Sequence, residues 1–77
     1  MTDYIILNEI KKILKSGRLK AGYNYKNLAQ LSGISDQTIR KYENDPVADI
    51  PLGRLIFLLK ILNVTPDNLI KVIQLFY

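Results

Sequence analysis

The stretch Tyr25-Lys-Asn-Leu-Ala-Gln-Leu-Ser-Gly-Ile-Ser-Asp-Gln-Thr-Ile-Arg-Lys-Tyr-Glu43 decides how this chain is read. Asn24, just before it, is a good N-cap, since its side-chain oxygen can accept from an amide in the first helical turn. A short helix is expected from Tyr25 to about Leu31, turning Leu28 and Ala29 inward. Ser32-Gly33-Ile34 reads as a tight turn, with Gly33 supplying a conformation that a β-carbon would strain. Ser35 caps the next helix, roughly Asp36 to Glu43, with its hydroxyl placed to accept from the Thr38 amide. Asp36 in the first turn complements the helix dipole. Ala29 is small where the two helices cross closely, and Leu28, Ile34, Ile39 and Tyr42 fill the wedge between them.

Toward the amino terminus, Ile6, Ile10, Ile13 and Leu14 recur at helical spacing, with Lys11, Lys12 and Lys15 on the opposite side. A first helix therefore starts near Asp3. Its end has two readings. Gly17 terminates it, or Gly17 is tolerated inside at about 1 kcal/mol and Gly22 is the stop. Toward the carboxyl terminus, Asn44-Asp45-Pro46 ends the central pair, and Asp45 to Pro51 is a loop. A fourth helix, about Leu52 to Leu62, is apolar almost all round, which places it centrally in the core or under a partner. Asn63 suits the left-handed closing position. Thr65-Pro66-Asp67 opens a fifth helix in the order N-cap, proline, acid, and that helix runs from Pro66 nearly to the end. Five helices and no lasting β-type alternation give an all-α fold in one domain over residues 1–77.

Composition narrows the chemistry. The 77 residues include no cysteine and no histidine, which excludes disulfides, thiolate nucleophiles, Cys/His zinc sites and imidazole acid–base pairs. With scattered acids and no nucleophile–base arrangement, neither an enzyme nor a cofactor is expected. No apolar run is long enough to span a bilayer and no signal-peptide pattern opens the chain, so a cytoplasmic protein without a membrane partner is expected. The formal charge is +4, which favours an anionic partner. All of that excess lies before Asp45, and Lys11 to Lys26 holds six cations and no acid. Such a run serves either as a solvated helix face or as an anion-facing one. Lys11, Lys12 and Lys15 are read as solvated face.

Two short helices joined by a Gly-containing turn of about four residues are the sequence form of a helix-turn-helix. Arg18-x-x-x-Gly22, Asn-Leu-Ala (27–29), Ser-Gly-Ile-Ser (32–35), Thr-Ile-Arg-Lys-Tyr-Glu-Asn (38–44), Leu55, Leu62-Asn-Val64 and Asp67-x-Leu69 extend the pattern. In these residues the chain resembles the Cro/C1-type (XRE-like) helix-turn-helix regulators, which include the lambdoid phage repressors. The resemblance covers about Ile10 to Leu69. It implies a five-helix, lambda-repressor-like DNA-binding domain with the 36–43 helix in the major groove. It also favours the longer first helix, and it implies an ion pair between Arg18 and Glu43. Three departures stand out. Tyr25 replaces the usual Gln that holds a DNA phosphate, leaving a phosphate contact and surface packing as alternatives. Gly17 stands where a large apolar residue is usual, so the first helix is expected to be locally loose. The loop from Asp45 to Ile50 carries Asp45 and Asp49 instead of bases, implying weaker or redirected backbone contacts.

With Ile39 and Tyr42 facing the core, helical spacing puts Asp36, Gln37, Arg40, Lys41 and Asn44 outward and Thr38 at the margin. Gln pairs bidentately with adenine, and Arg or Lys with guanine. By family position Asp36, Gln37 and Lys41 are the expected base readers, with Thr38 and Arg40 divided between bases and phosphate. Asn24, Tyr25, Lys26 and Asn44, with the amino end of the second helix, are the expected phosphate holders.

One such unit reads few base pairs, so a homodimer on a double-stranded DNA operator is expected. The apolar tail supplies an interface from Leu69, Ile70, Ile73, Phe76 and Tyr77; the alternative is a monomer that folds these residues onto its own core. The resulting reading is a transcriptional regulator, expected to act as a repressor, of bacterial or phage origin and without an effector domain. The competing reading is an antitoxin or protein-interaction module whose tail binds a toxin or another regulator.

Overall fold

The computed structural model describes residues 2–76 and contains α1 (Thr2–Ala21), α2 (Tyr25–Ser32), α3 (Asp36–Asn44), α4 (Leu52–Ile61) and α5 (Pro66–Phe76). There is no strand among the described residues, and the fold is the all-α one expected. The most deeply buried side chains, Leu14, Leu28, Ile39 and Leu58, come one each from α1 to α4. Around them close Ile34, Tyr42, Leu55, Leu59 and Leu62. α1 runs behind the others, packing on α3, α4 and α5, while α2 packs on α3 and α4.

The turns follow from local chemistry. α1 continues through Gly17 and stops at Gly22, whose φ of 78° lets Gly22 N–H donate to Leu19 O and Tyr23 N–H to Arg18 O, both at 3.1 Å. α4 ends in the same paired pattern: Asn63, at φ 57°, donates to Lys60 O and Val64 donates to Leu59 O. These paired bonds satisfy carbonyls that a helix end would otherwise leave open.

Three expectations change. Gly17 does not loosen α1: it is buried, and a β-carbon there would sit 2.6 Å from Val64 Cγ2. The residue is small because the α4–α5 corner presses against the helix at that turn. α4 is neither wholly buried nor central on all sides, since Leu55, Leu58 and Leu59 point inward while Leu52, Ile56 and Phe57 are exposed. On α5 the inward residues are Val72, which is buried, and Leu69, which is half-buried and packs against the core. Leu69 is thus largely committed within its own chain, and of the expected interface residues Ile70, Ile73 and Phe76 are left exposed. α4, almost uniformly apolar, offers no polar face to orient it, so its periodicity could not say which of its stripes the core would cover. Tyr77, also expected in the interface, lies outside the described residues.

An exposed Gly→Ala change inside a helix usually gains about 1 kcal/mol. At Gly17 overpacking against a stiff β-branched neighbour outweighs that gain. Gly17→Ala is expected to lower unfolding free energy by about 0.5–2 kcal/mol in urea titrations. Combining it with Val64→Ala should recover part of the loss.

Candidate nucleic-acid interface

The face that α3 turns to solvent begins with its cap. Ser35 Oγ accepts from Thr38 N–H at 3.2 Å and donates to Thr38 Oγ1 at 2.8 Å. Ile39 and Tyr42 are buried, which leaves Gln37, Arg40, Lys41 and Asn44 exposed along one side and Asp36 and Thr38 half-buried. Asp36 Oδ2 lies 3.9 Å from Arg40 Nη2, a loose solvent-facing pair. Among the described residues this side stays open to solvent except where Tyr25 of α2 meets Arg40 and Asn44, while α3 packs on α1 and α2.

Beside it stands the amino end of α2. Asn24 Oδ1 accepts from Asn27 N–H at 2.8 Å, and Asn27 Oδ1 accepts from Asn24 N–H at 3.1 Å. The reciprocal bonds fix where α2 starts and hold Asn24, Tyr25 and the exposed Lys26 next to the end of α3.

What aligns the two helices is a buried ion pair. Arg18 Nε donates to Glu43 Oε2 at 2.7 Å and Arg18 Nη2 to Glu43 Oε1 at 3.1 Å. The remaining Arg18 nitrogen, Nη1, donates to Tyr23 O at 2.9 Å. The bidentate bonds to Glu43 raise the Arg18 pKa, opposed by burial. Tyr25 completes the cluster. Its hydroxyl donates to Glu43 Oε1 at 3.1 Å and accepts from Asn44 Nδ2 at 3.2 Å. A phenol has one O–H. In the free protein that hydrogen is directed at Glu43, so Tyr25 is packed and internally bonded at the same end of α2 where a phosphate contact is expected of it.

Lys11 corrects the reading of the basic run. Lys12 and Lys15 are solvent-exposed as expected, with Lys12 Nζ 3.1 Å from Glu9 Oε1, but Lys11 is only 3% exposed. Its Nζ donates to Tyr42 O at 2.8 Å and to Ala48 O at 2.6 Å. It therefore ties the last turn of α3 and the following loop to α1. Burial lowers its pKa, and the nearby Asp45 and Asp49 act in the opposite direction. The two loop acids thus sit in the field of a buried cation. A sequence clue existed: Lys11, Leu14 and Arg18 follow one another at three and four residues and share a face. Arg54 was also overlooked; its Nη1 donates to Tyr42 Oη at 2.9 Å from α4.

A family model described as helix-turn-helix matches residues 14–69, a span that contains α2, α3 and the packing partners that hold them. The chain belongs to the Cro/C1-type helix-turn-helix family and is, in general terms, a DNA-binding regulator; the family is not one of enzymes. No curated protein and no solved structure matches the chain significantly. Among the described residues no helix is long and apolar enough to cross a membrane.

Lys11→Met keeps the aliphatic stem and removes both donors. It is expected to cost about 1–3 kcal/mol in chemical denaturation, because buried carbonyls lose their partner. In hydrogen exchange, the loop amides around Ala48 should lose protection before those of α2.

Proposed function

We propose that the protein is a sequence-specific repressor, of bacterial or phage origin, that acts by occupying a double-stranded operator as a homodimer. The observation that carries the reading is the uncovered polar side of α3, where Gln37, Arg40, Lys41 and Asn44 face solvent on a rigidly braced helix. In the major groove Asp36, Gln37 and Lys41 read base edges, while Thr38 and Arg40 divide between bases and phosphate. Asn24, Lys26 and Asn44 hold the adjoining backbone with the amino end of α2. An occupied operator excludes polymerase without further machinery, which makes repression the simplest action.

Ile70, Ile73 and Phe76 are the proposed dimer contacts, with Leu69 at their margin. A pair related by twofold symmetry would set two α3 helices on half-sites about one helical turn apart. If the tail instead binds a different protein, such as a toxin, light scattering after size exclusion will return the monomer mass of 8.9 kDa.

Selection of bound sequences from random duplex DNA should return a symmetric site. On that site Gln37→Ala should weaken binding by about 1–3 kcal/mol and leave non-specific binding nearly unchanged. Affinity should also fall with salt at a log–log slope near −0.9 per phosphate neutralised. A flat salt response, or equal loss on specific and random duplexes, would contradict the assignment.

A further inference from the structure

Tyr25 is the first residue of α2, is half-buried, and touches groups from both α1 and α3. The Arg18 guanidinium carbon lies 4.2 Å from its ring centroid and that of Arg40 lies 4.8 Å away. Both distances are within the range where a cation is drawn to the negative charge of an aromatic face. The hydroxyl meanwhile links buried Glu43 to exposed Asn44. One side chain thus connects a fixed ion pair inside the domain to two exposed donors at the end of α3.

Exposed arginines lose rotamer freedom when they bind, and a contact that restricts them beforehand lowers that loss. Arg40 is restrained in this way twice, by the Tyr25 ring and, more loosely, by Asp36 at 3.9 Å. Asn44 is oriented because its amide nitrogen donates to an oxygen whose own hydrogen points to Glu43.

We propose that Tyr25 is a positioning residue for DNA binding: its ring aims the Arg40 guanidinium and its hydroxyl aims the Asn44 amide, without Tyr25 itself contacting the duplex. The inference rests on the operator-binding reading above. It assigns the ring and the hydroxyl to separate partners, so the two can be removed separately.

The test combines variants of the full chain with one measurement on free protein and one on DNA. In free protein, NMR should show the Arg40 side-chain protons shifted upfield by the ring in wild type and in Tyr25→Phe, and unshifted in Tyr25→Leu. On the selected duplex, Tyr25→Leu should weaken binding by about tenfold, and once Arg40→Ala is present by no more than Tyr25→Phe does, since only the hydroxyl's share then remains to be lost. Tyr25→Phe should be non-additive with Asn44→Ala and additive with Arg40→Ala. Urea titration of each variant keeps folding losses apart, and Tyr25→Phe retains the packed ring should Tyr25→Leu fail to fold. An unshifted Arg40 in wild type, or multiplicative effects of Tyr25→Leu and Arg40→Ala, would overturn the proposal and leave operator binding standing. Wild-type protein that binds no duplex would overturn the repressor reading and this inference together.

Discussion

The closure of Arg18 on Glu43 is the constraint on which the exposed side of α3 depends. α3 is nine residues long, too short to persist alone in water. Its apolar side, Ile39 and Tyr42, holds it to the core but does not by itself fix its rotation or its carboxyl end. Two cations from α1 do that. Arg18 takes the Glu43 carboxylate in a fork, and Lys11 takes the Tyr42 carbonyl two helical turns away along α1. A buried pair of this kind need not add net stability over apolar packing, but leaving either member alone is strongly unfavourable. It therefore acts against misplacement of α3, and Tyr25 and Tyr23 supply the remaining hydrogen bonds.

The same arrangement changes what the positive charge is for. Of the six cations between Lys11 and Lys26, two are turned inward and engaged on α3. Lys12 faces Glu9, so that part of the run is not simply an anion-attracting surface. Lys26, Arg40 and Lys41 remain exposed beside the uncovered side of α3, and it is their placement, more than the total of +4, that suits a phosphate backbone. Asp45 and Asp49, which looked unfavourable for DNA, lie in the field of the buried Lys11 ammonium.

Small size elsewhere serves close packing. α1 runs uninterrupted through Gly17, and the absence of a side chain there lets Val64 of the α4–α5 corner approach that turn closely. The cost is a surface on which α4 and α5 both leave large apolar residues uncovered, Leu52 at 70% exposure and Leu75 at 71%. Apolar area of this kind, contiguous or not, distinguishes the outer side of the carboxyl half from the polar side that α3 presents.

Much was legible from residues alone, because the signals were local. Asn24 and Ser35 cap the helices they were expected to cap, Gly22 and Asn63 close helices in the left-handed region, and Leu28, Ile34, Ile39 and Tyr42 fill the wedge. Each depends on a neighbour within a few positions, so spacing suffices to find it. The burial of Lys11, the reason for Gly17, the internal bonding of Tyr25 and the rotation of α5 did not follow from spacing. Lys11 meets Tyr42 and Ala48 more than thirty positions away, and Gly17 meets Val64 across the fold. The chain's order of residues thus determined which segments coil and where they stop; only the packing of α1 against α3 and α5 decided which charges are hidden, which apolar stripe is covered and how the exposed end of α3 is aimed, because those outcomes depend on partners that distance along the chain does not reveal.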